Sequence, residues 1–343
     1  MNREPPKRQG HVDIRDVARA AGVSTATVSR ALSGRGYASD DARRKVAAAS
    51  RRLGYQPAAP GRSLRTTRSM TIGLLVPDLA DPVYLPFLRG VEHAAQQHGY
   101  VVVVADARSS TTLERRQLDR LYAQRVDALV LAGSPRDRAY LRRLQRAGLM
   151  VVDPEGPNGP SDIRRTTEAH ATTSLCEHLA DLGHSRIAYV TRGAPRGRTA
   201  QRRSRAVIDS CRKVGIAAKP VLLGARREPD DVGDMLAGLV RSRKPVTAVV
   251  CGAHSLAPLL LRAKSAAGIH VPDECSFVTY GDSDWAAAYR PALSVVRRDL
   301  YARATAITTH LIAQLDGHDP HVTDPDAHRV EFVPRDSVAR ARS

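Results

Sequence analysis

Asp16-Val17-Ala18-Arg19-Ala20-Ala21-Gly22-Val23-Ser24-Thr25-Ala26-Thr27-Val28-Ser29-Arg30 decides how the first part of this chain folds. Just before and into it, Ile14, Val17 and Ala18 fall on one face of a helix running from Ile14 to Ala20. Gly22 supplies the positive φ that ends a helix, and Val23 plugs the gap behind it. Ser24 is an N-cap for a second helix from Thr25 to Leu32. A third begins at Ser39-Asp40-Asp41, whose oxygens suit the positive end of a helix, and stops at Gly54. Helix, four-residue turn and capped second helix make a helix-turn-helix, in which the start of the second helix enters the major groove. Thr25 and Ala26 are then placed at base edges, and Arg30 carries a fork that suits guanine. Thr27 and Ser29 have short hydroxyls suited to phosphates. Arg15, Ser24 and Tyr37 complete the expected contacts on this module.

Charge supports that reading. The chain carries +18 in 343 residues, and residues 1–70 hold 15 Lys/Arg against 5 Asp/Glu. A basic end on a less basic body suggests a nucleic-acid module joined to something else. Residues 1–11 read as a disordered basic arm, residues 12–57 as the headpiece and residues 58–70 as a linker.

The remaining length suits two further domains. Hydrophobic residues make up 42% and aromatic residues 4%, so aliphatic side chains build the core. Met1 to Gly10 is polar, and no apolar run reaches the roughly 18 residues of a membrane span, so a cytoplasmic protein with no membrane partner is expected. Cys176, Cys211, Cys251 and Cys275 lie far apart and read as reduced core thiols. His318 and His321, in an Asp/Pro/Gly-rich stretch, read as solvated loop histidines; no metal or cofactor is expected.

The string from Asp16 to Arg30 resembles the headpiece of the lactose-repressor/galactose-repressor family. Leu53-Gly54-Tyr55-Gln56-Pro57, Arg62-Ser63-Leu64-Arg65-Thr66 and Thr71-Ile72-Gly73-Leu74-Leu75-Val76-Pro77-Asp78 continue the resemblance in order. It implies that the linker becomes a hinge helix on operator DNA, with Arg62 beside a wedging Leu64 in the minor groove. Ala58 stands where the family usually has an Asn cap, and Pro60 and Gly61 follow. The hinge helix is therefore expected to be weaker or shorter here.

From Thr71 onward, apolar runs alternate with amphipathic helices. The expected strands are Ile72–Val76, Tyr100–Val104, Ala128–Leu131, Leu149–Val152, Arg186–Val190, Val221–Leu223, Ala248–Cys251 and Ser276–Tyr280. Gly99, Gly148, Gly215 and Gly268 read as helix stops. Alternating β and α implies parallel sheets covered on both faces, here as two doubly wound lobes with a ligand crevice between them. The resemblance implies a periplasmic-binding-protein-like α/β body beneath an all-α helix-turn-helix headpiece. Its lobes are expected at 71–165 plus 297–322 and at 166–296 plus 323–340, with crossings near Arg165–Glu168, near Ser294–Arg297 and near the C-terminus.

The resemblance also places an effector pocket. Arg203 matches an effector-holding arginine, and Tyr84 falls where relatives stack an aromatic ring on the ligand. Two aspartates of sugar-binding members are replaced in Gly252-Ala253-His254 and Thr279-Tyr280-Gly281-Asp282. His254, Gly281 and Asp282 are thus candidate lining residues without the usual acceptors. Thr167-Glu168 stands where Asp-Asn is common. An anionic effector such as a sugar phosphate or organic acid, held by Arg203, is one expectation; no small-molecule effector is the other.

The function expected is a dimeric, operator-binding transcription regulator, a repressor, with a sugar, sugar phosphate or organic acid as effector. A solute-binding transport protein shares the fold but has no use for residues 12–65. An α/β enzyme with a borrowed headpiece lacks any visible nucleophile–base pair, and no catalytic residues are expected.

Overall fold

The computed structural model describes residues 12–33, 37–55, 68–133, 137–153, 161–192, 198–223, 228–318 and 329–342. The expected basic arm, residues 58–67 of the expected linker with Arg62 and Leu64, and His321 lie outside the described residues. The chain divides into two units, Met1–Ser69 and Met70–Ser343.

The first unit contains three helices: α1 (Ile14–Ala21), α2 (Thr25–Ser33) and α3 (Asp40–Leu53). Asp13 caps α1 by accepting from the N–H groups of Arg15 and Asp16, and the Asp16 carboxylate accepts in return from the Asp13 N–H. Gly22 ends α1 at a φ of 65°. Ser39 caps α3 by accepting from Ala42 N–H. The helices meet over Val17, Ala18, Val28, Val46 and Ala49, with Val23 packed against them as expected.

The second unit carries two sheets. In the first, β1 (Thr71–Val76) lies between β2 (Val101–Asp106) and β3 (Ala128–Leu131), and β4 (Met150–Val152) pairs with β3. All pairs are parallel. Helices α4 (Leu85–Gln97), α5 (Thr111–Ala123) and α6 (Arg138–Arg146) link these strands. Separate apolar cores lie around Ile72, Leu74 and Val91 and around Leu75, Leu118 and Leu129, as a sheet buried on both faces requires.

The second sheet follows α7 (Ser161–Asp181). Its elements are β5 (Arg186–Arg192), α8 (Arg198–Lys213), β6 (Ala217–Leu223), α9 (Pro229–Val240), β7 (Ala248–Cys251), α10 (Ala257–Ala266), β8 (Ser276–Tyr280), α11 (Asp284–Ala288) and β9 (Ser294–Arg298). After α12 (Leu300–Leu315), β10 (Val330–Val333) returns to the same sheet, whose order is β10-β9-β8-β7-β5-β6. The four glycines expected to stop helices all have positive φ.

Three strand expectations need correction. β6 starts at Ala217 rather than Val221, because an edge strand tolerates the charged Lys219 and the missing N–H of Pro220. Strands β9 and β10 had not been expected, and their pairing is antiparallel, so this sheet is not wholly parallel. Arg297, expected to open the returning segment of the first lobe, is instead a β9 residue opposite Glu331. The return is made by α12, which packs so closely on α4 that a Cβ on Gly90 would stand 2.4 Å from Tyr301 O.

The last described residues are stitched into the second sheet. Ser337 is fully buried; its N–H donates to Ala292 O, and its hydroxyl donates to Phe277 O and accepts from Ser294 N–H. Ala339 N–H donates to Ser276 Oγ, and Ala341 N–H to Leu182 O.

Candidate DNA-binding face and effector cleft

On the first unit, α2 exposes Thr25, Ala26, Ser29 and Arg30 while burying Val28. The exposed residues therefore form a free face at the start of the helix, as major-groove entry requires. Ser24 Oγ accepts from Thr27 N–H at 3.1 Å and lies 2.9 Å from Thr27 Oγ1. Ser24 and Thr27 thus hold the helix start together rather than offering two independent hydroxyls. Arg30 lies over its own turn: Nε donates to Ala26 O at 3.3 Å, and a terminal nitrogen to Tyr37 O at 3.5 Å. Both contacts go to backbone carbonyls, which leaves the cation without a carboxylate. Arg15 is exposed at the start of α1, and Tyr37 is 84% exposed, a large aromatic surface given to solvent.

In the second unit, the carboxyl ends of β7 and β8 carry the other candidates. Arg203, on α8, donates from Nε to Glu168 Oε1 at 3.0 Å and from a terminal nitrogen to Gly252 O at 2.8 Å. Its Cζ sits 4.5 Å from the centre of the Tyr280 ring. Burial works against its charge, but Glu168 and the neighbouring tyrosines outweigh this and raise the pKa, so Arg203 stays cationic. Glu168 Oε1 accepts a second charged bond, from Arg298 at 3.0 Å. One carboxylate from α7 therefore joins α8 to the end of β9.

Asp282 is engaged in the same manner. Its two oxygens accept from the two terminal nitrogens of Arg335, at 3.0 and 2.6 Å. Arg203 and Asp282, both expected to meet an effector, are each paired within the chain, so a ligand there would meet charges that already have partners.

His254 is 4% exposed, and its ring lies 5.0 Å from that of Trp285. Burial lowers its pKa, so the ring is neutral, and neither nitrogen makes a well-formed hydrogen bond among the described residues. A Cβ on Gly281 would lie 2.8 Å from His254 Cβ and 3.4 Å from Val83 Cγ2, so the first lobe reaches this site too. Tyr84 is half-buried at the end of the turn Pro82–Tyr84 and packs into the core of the first sheet. Sequence reading did not assign roles to Arg298, Arg335 or Trp285. Glu168 was noticed only as a departure, although a carboxylate facing a buried arginine was the signal available.

Two family models match the chain. Residues 13–58 match that of bacterial regulatory proteins of the lacI family, and residues 176–338 that of a periplasmic binding protein-like domain. The HTH-type transcriptional repressor CytR of Escherichia coli (strain K12) is 26% identical over 314 residues, spanning 91% of this chain and 92% of that protein. The HTH-type transcriptional regulator GalR of the same strain is 29% identical over 316 residues, with the same coverage. The Lac repressor dimer bound to operator and an anti-inducer superposes with a TM-score of 0.78 at 23% identity, over 96% of this chain and 99% of that one, a likeness of fold. A regulator's headpiece, a binding-protein body and relatives matched almost end to end agree: the chain is similar, over nearly its whole length, to bacterial regulatory proteins of the lacI family.

Proposed function

We propose that this protein is a cytoplasmic transcriptional repressor that binds a two-fold symmetric operator as a homodimer, is modulated by a small molecule between its lobes, and catalyses no reaction. The observation that carries the reading is the exposed start of α2, with Thr25, Ala26, Ser29 and Arg30 turned to solvent on a capped helix over a closed core. No helix among the described residues is long and apolar enough to cross a membrane. The working parts are the headpiece at 12–57, the hinge at 58–70 with Arg62 and Leu64, the lobe at 71–165 joined by the segment after Arg298, and the lobe formed by the rest.

In this reading Arg30 swings from Ala26 O and Tyr37 O to a guanine edge, exchanging two bonds to neutral acceptors for a bidentate one. Arg15, Ser24, Thr27, Ser29 and Tyr37 position the headpiece on the backbone. Footprinting and competition titration test this: Arg30→Ala costs about 1–3 kcal/mol and relaxes preference at one base pair per half-site. Equal weakening on every sequence makes Arg30 a phosphate contact and overturns the assignment.

The effector cleft is lined by Tyr84, Arg203, His254, Gly281 and Asp282. An organic acid or sugar phosphate would compete with Glu168 for Arg203, whereas a neutral sugar would have to uncover the buried nitrogens of His254. The internal pairing of Arg203 and Asp282 also favours a second reading, a regulator without an effector. Thermal-shift panels of neutral and phosphorylated sugars separate these: a ligand at a hundred times its Kd stabilises the body by about 2.7 kcal/mol.

A further inference from the structure

Helices α7 and α8 run side by side and are joined by three contacts at matching heights. Glu168 Oε1 meets Arg203 Nε at 3.0 Å, Thr173 Oγ1 meets Ser210 Oγ at 3.3 Å, and Cys176 Sγ meets Cys211 Sγ at 3.3 Å. In both helices the cysteine stands eight positions after the charged residue, so the sulfurs continue the seam that begins at the cleft. Cys176 and Cys211 are fully buried free thiols. Cys251 and Cys275 are also buried, but each faces backbone carbonyl oxygen rather than another sulfur.

We propose that Cys176 and Cys211 are a peroxide-sensitive modification site, closing to a disulfide that fastens α7 to α8 and thereby holds the Glu168–Arg203 clasp. The sulfurs stand 3.3 Å apart, and a disulfide needs them to close to about 2.05 Å. The two thiols are unlike. Either sulfur can donate to the other; with Cys176 as donor the contact favours the anion at Cys211 and disfavours it at Cys176, while burial opposes the anion at both. Burial also pushes Cys251 up to about 11 and Cys275 up to about 12, and these two have only a carbonyl oxygen, not a second sulfur, within reach to trap an oxidised thiol.

The chemistry takes one equivalent of hydrogen peroxide. Cys211 gives up its proton to water and, as thiolate, attacks one peroxide oxygen; the O–O bond breaks, and the departing hydroxide recovers that proton from water and leaves as water. The resulting sulfenic acid is attacked by Cys176 sulfur. The S–O bond breaks, and hydroxide leaves with the Cys176 proton as a second water. Two thiols and one peroxide give one disulfide and two waters. Thiol exchange with a dithiol restores the starting pair.

The seam gives this bond a consequence. Glu168 sits two turns before Cys176 on α7 and also holds Arg298 at the end of β9, so a covalent link lower down restrains the carboxylate at the cleft. A ligand that must separate Glu168 from Arg203 therefore acts on the reduced protein and less on the oxidised one.

The test uses the full-length protein in its native state, treated with hydrogen peroxide, quenched, unfolded in an alkylating agent and digested for mass spectrometry. The expected result is one linked pair of peptides carrying Cys176 and Cys211, lighter by two hydrogens, with Cys251 and Cys275 fully alkylated. Cys176→Ser and Cys211→Ser each abolish the link, and a dithiol reverses it in the wild type. Hydrogen exchange across 168–176 and 203–211 slows in the linked form. Full alkylation of both thiols, or sulfinic acid at either without a link, overturns the proposal. So does a link that appears only when peroxide is added to unfolded protein. The wild-type measurement stands even where a serine variant fails to fold.

Discussion

His254 Cβ lies 2.8 Å from the point where a Cβ on Gly281 would stand, and Gly281 itself has a φ of +102°. The two departures from the family's sugar-binding residues are therefore one structural change. The histidine ring occupies space that only a glycine leaves open, in a conformation that L side chains rarely adopt.

Gly281→Ala combines a strained φ with a sub-contact approach to His254. It is expected to destabilise the second unit by roughly 1–3 kcal/mol in urea titration. In a His254→Gly background, where the clashing Cβ is gone, the same Gly281→Ala change costs less, because only the backbone part remains. Gly281→Ala at wild-type stability means the two residues are not in contact.

The Glu168 carboxylate is the shared partner of Arg203 and Arg298, and side chains on both sides are mostly buried. Glu168→Leu leaves buried guanidinium charge without its partner and is expected to cost roughly 3–5 kcal/mol. Combined with Arg203→Met, the loss is smaller than the sum of the two single changes by at least ~1 kcal/mol. Strict additivity in a chemical-denaturation cycle removes the clasp from the account.

His184 is buried, with Nδ1 2.8 Å from Thr247 Oγ1 and Nε2 3.0 Å from Ala339 O. The carbonyl can only accept, which assigns the proton to Nε2 and makes Nδ1 the acceptor of the threonine hydroxyl. Burial is the main force on this histidine and lowers its pKa; the carbonyl of Ala339 opposes the shift, and His178 adds to it. A histidine depressed in the folded state is protonated first in the unfolded chain. Stability therefore falls as pH drops below 6.5, the ordinary value, toward the folded one. His254, depressed by burial as well, adds in the same direction. The slope is at most ~1.4 kcal/mol per pH unit for each histidine. His184→Gln flattens part of it; an unchanged slope assigns the acid sensitivity elsewhere.

Local signals made the headpiece and most strands legible. A Gly22 stop, the Ser24 and Ser39 caps and runs such as Thr71–Val76 act within a few residues, so chain order alone exposes them. What escaped was made by distant segments. Arg335 meets Asp282 across 53 positions, and Arg298 meets Glu168 across 130. No periodicity in either segment announces its partner. β9 and β10 escaped for the same reason, since each is a short run whose strand character depends on distant partners, β8 and β10 for β9 and β9 for β10. For the cleft, resemblance indicated the residues, but not that their charges would be neutralised from within.

The tail woven between Ala292, Ser276 and Leu182 also sets an order in time. A ribosome releases the headpiece first, and nothing in its three-helix core waits for later sequence. The second sheet needs residues 330–341 to satisfy buried groups such as the Ser294 N–H and the His184 ring. During synthesis, a nascent chain thus acquires its DNA-binding face well before its regulatory body can close. A tag fused close behind Ala341 burdens the last step of that closure, while the headpiece is already formed.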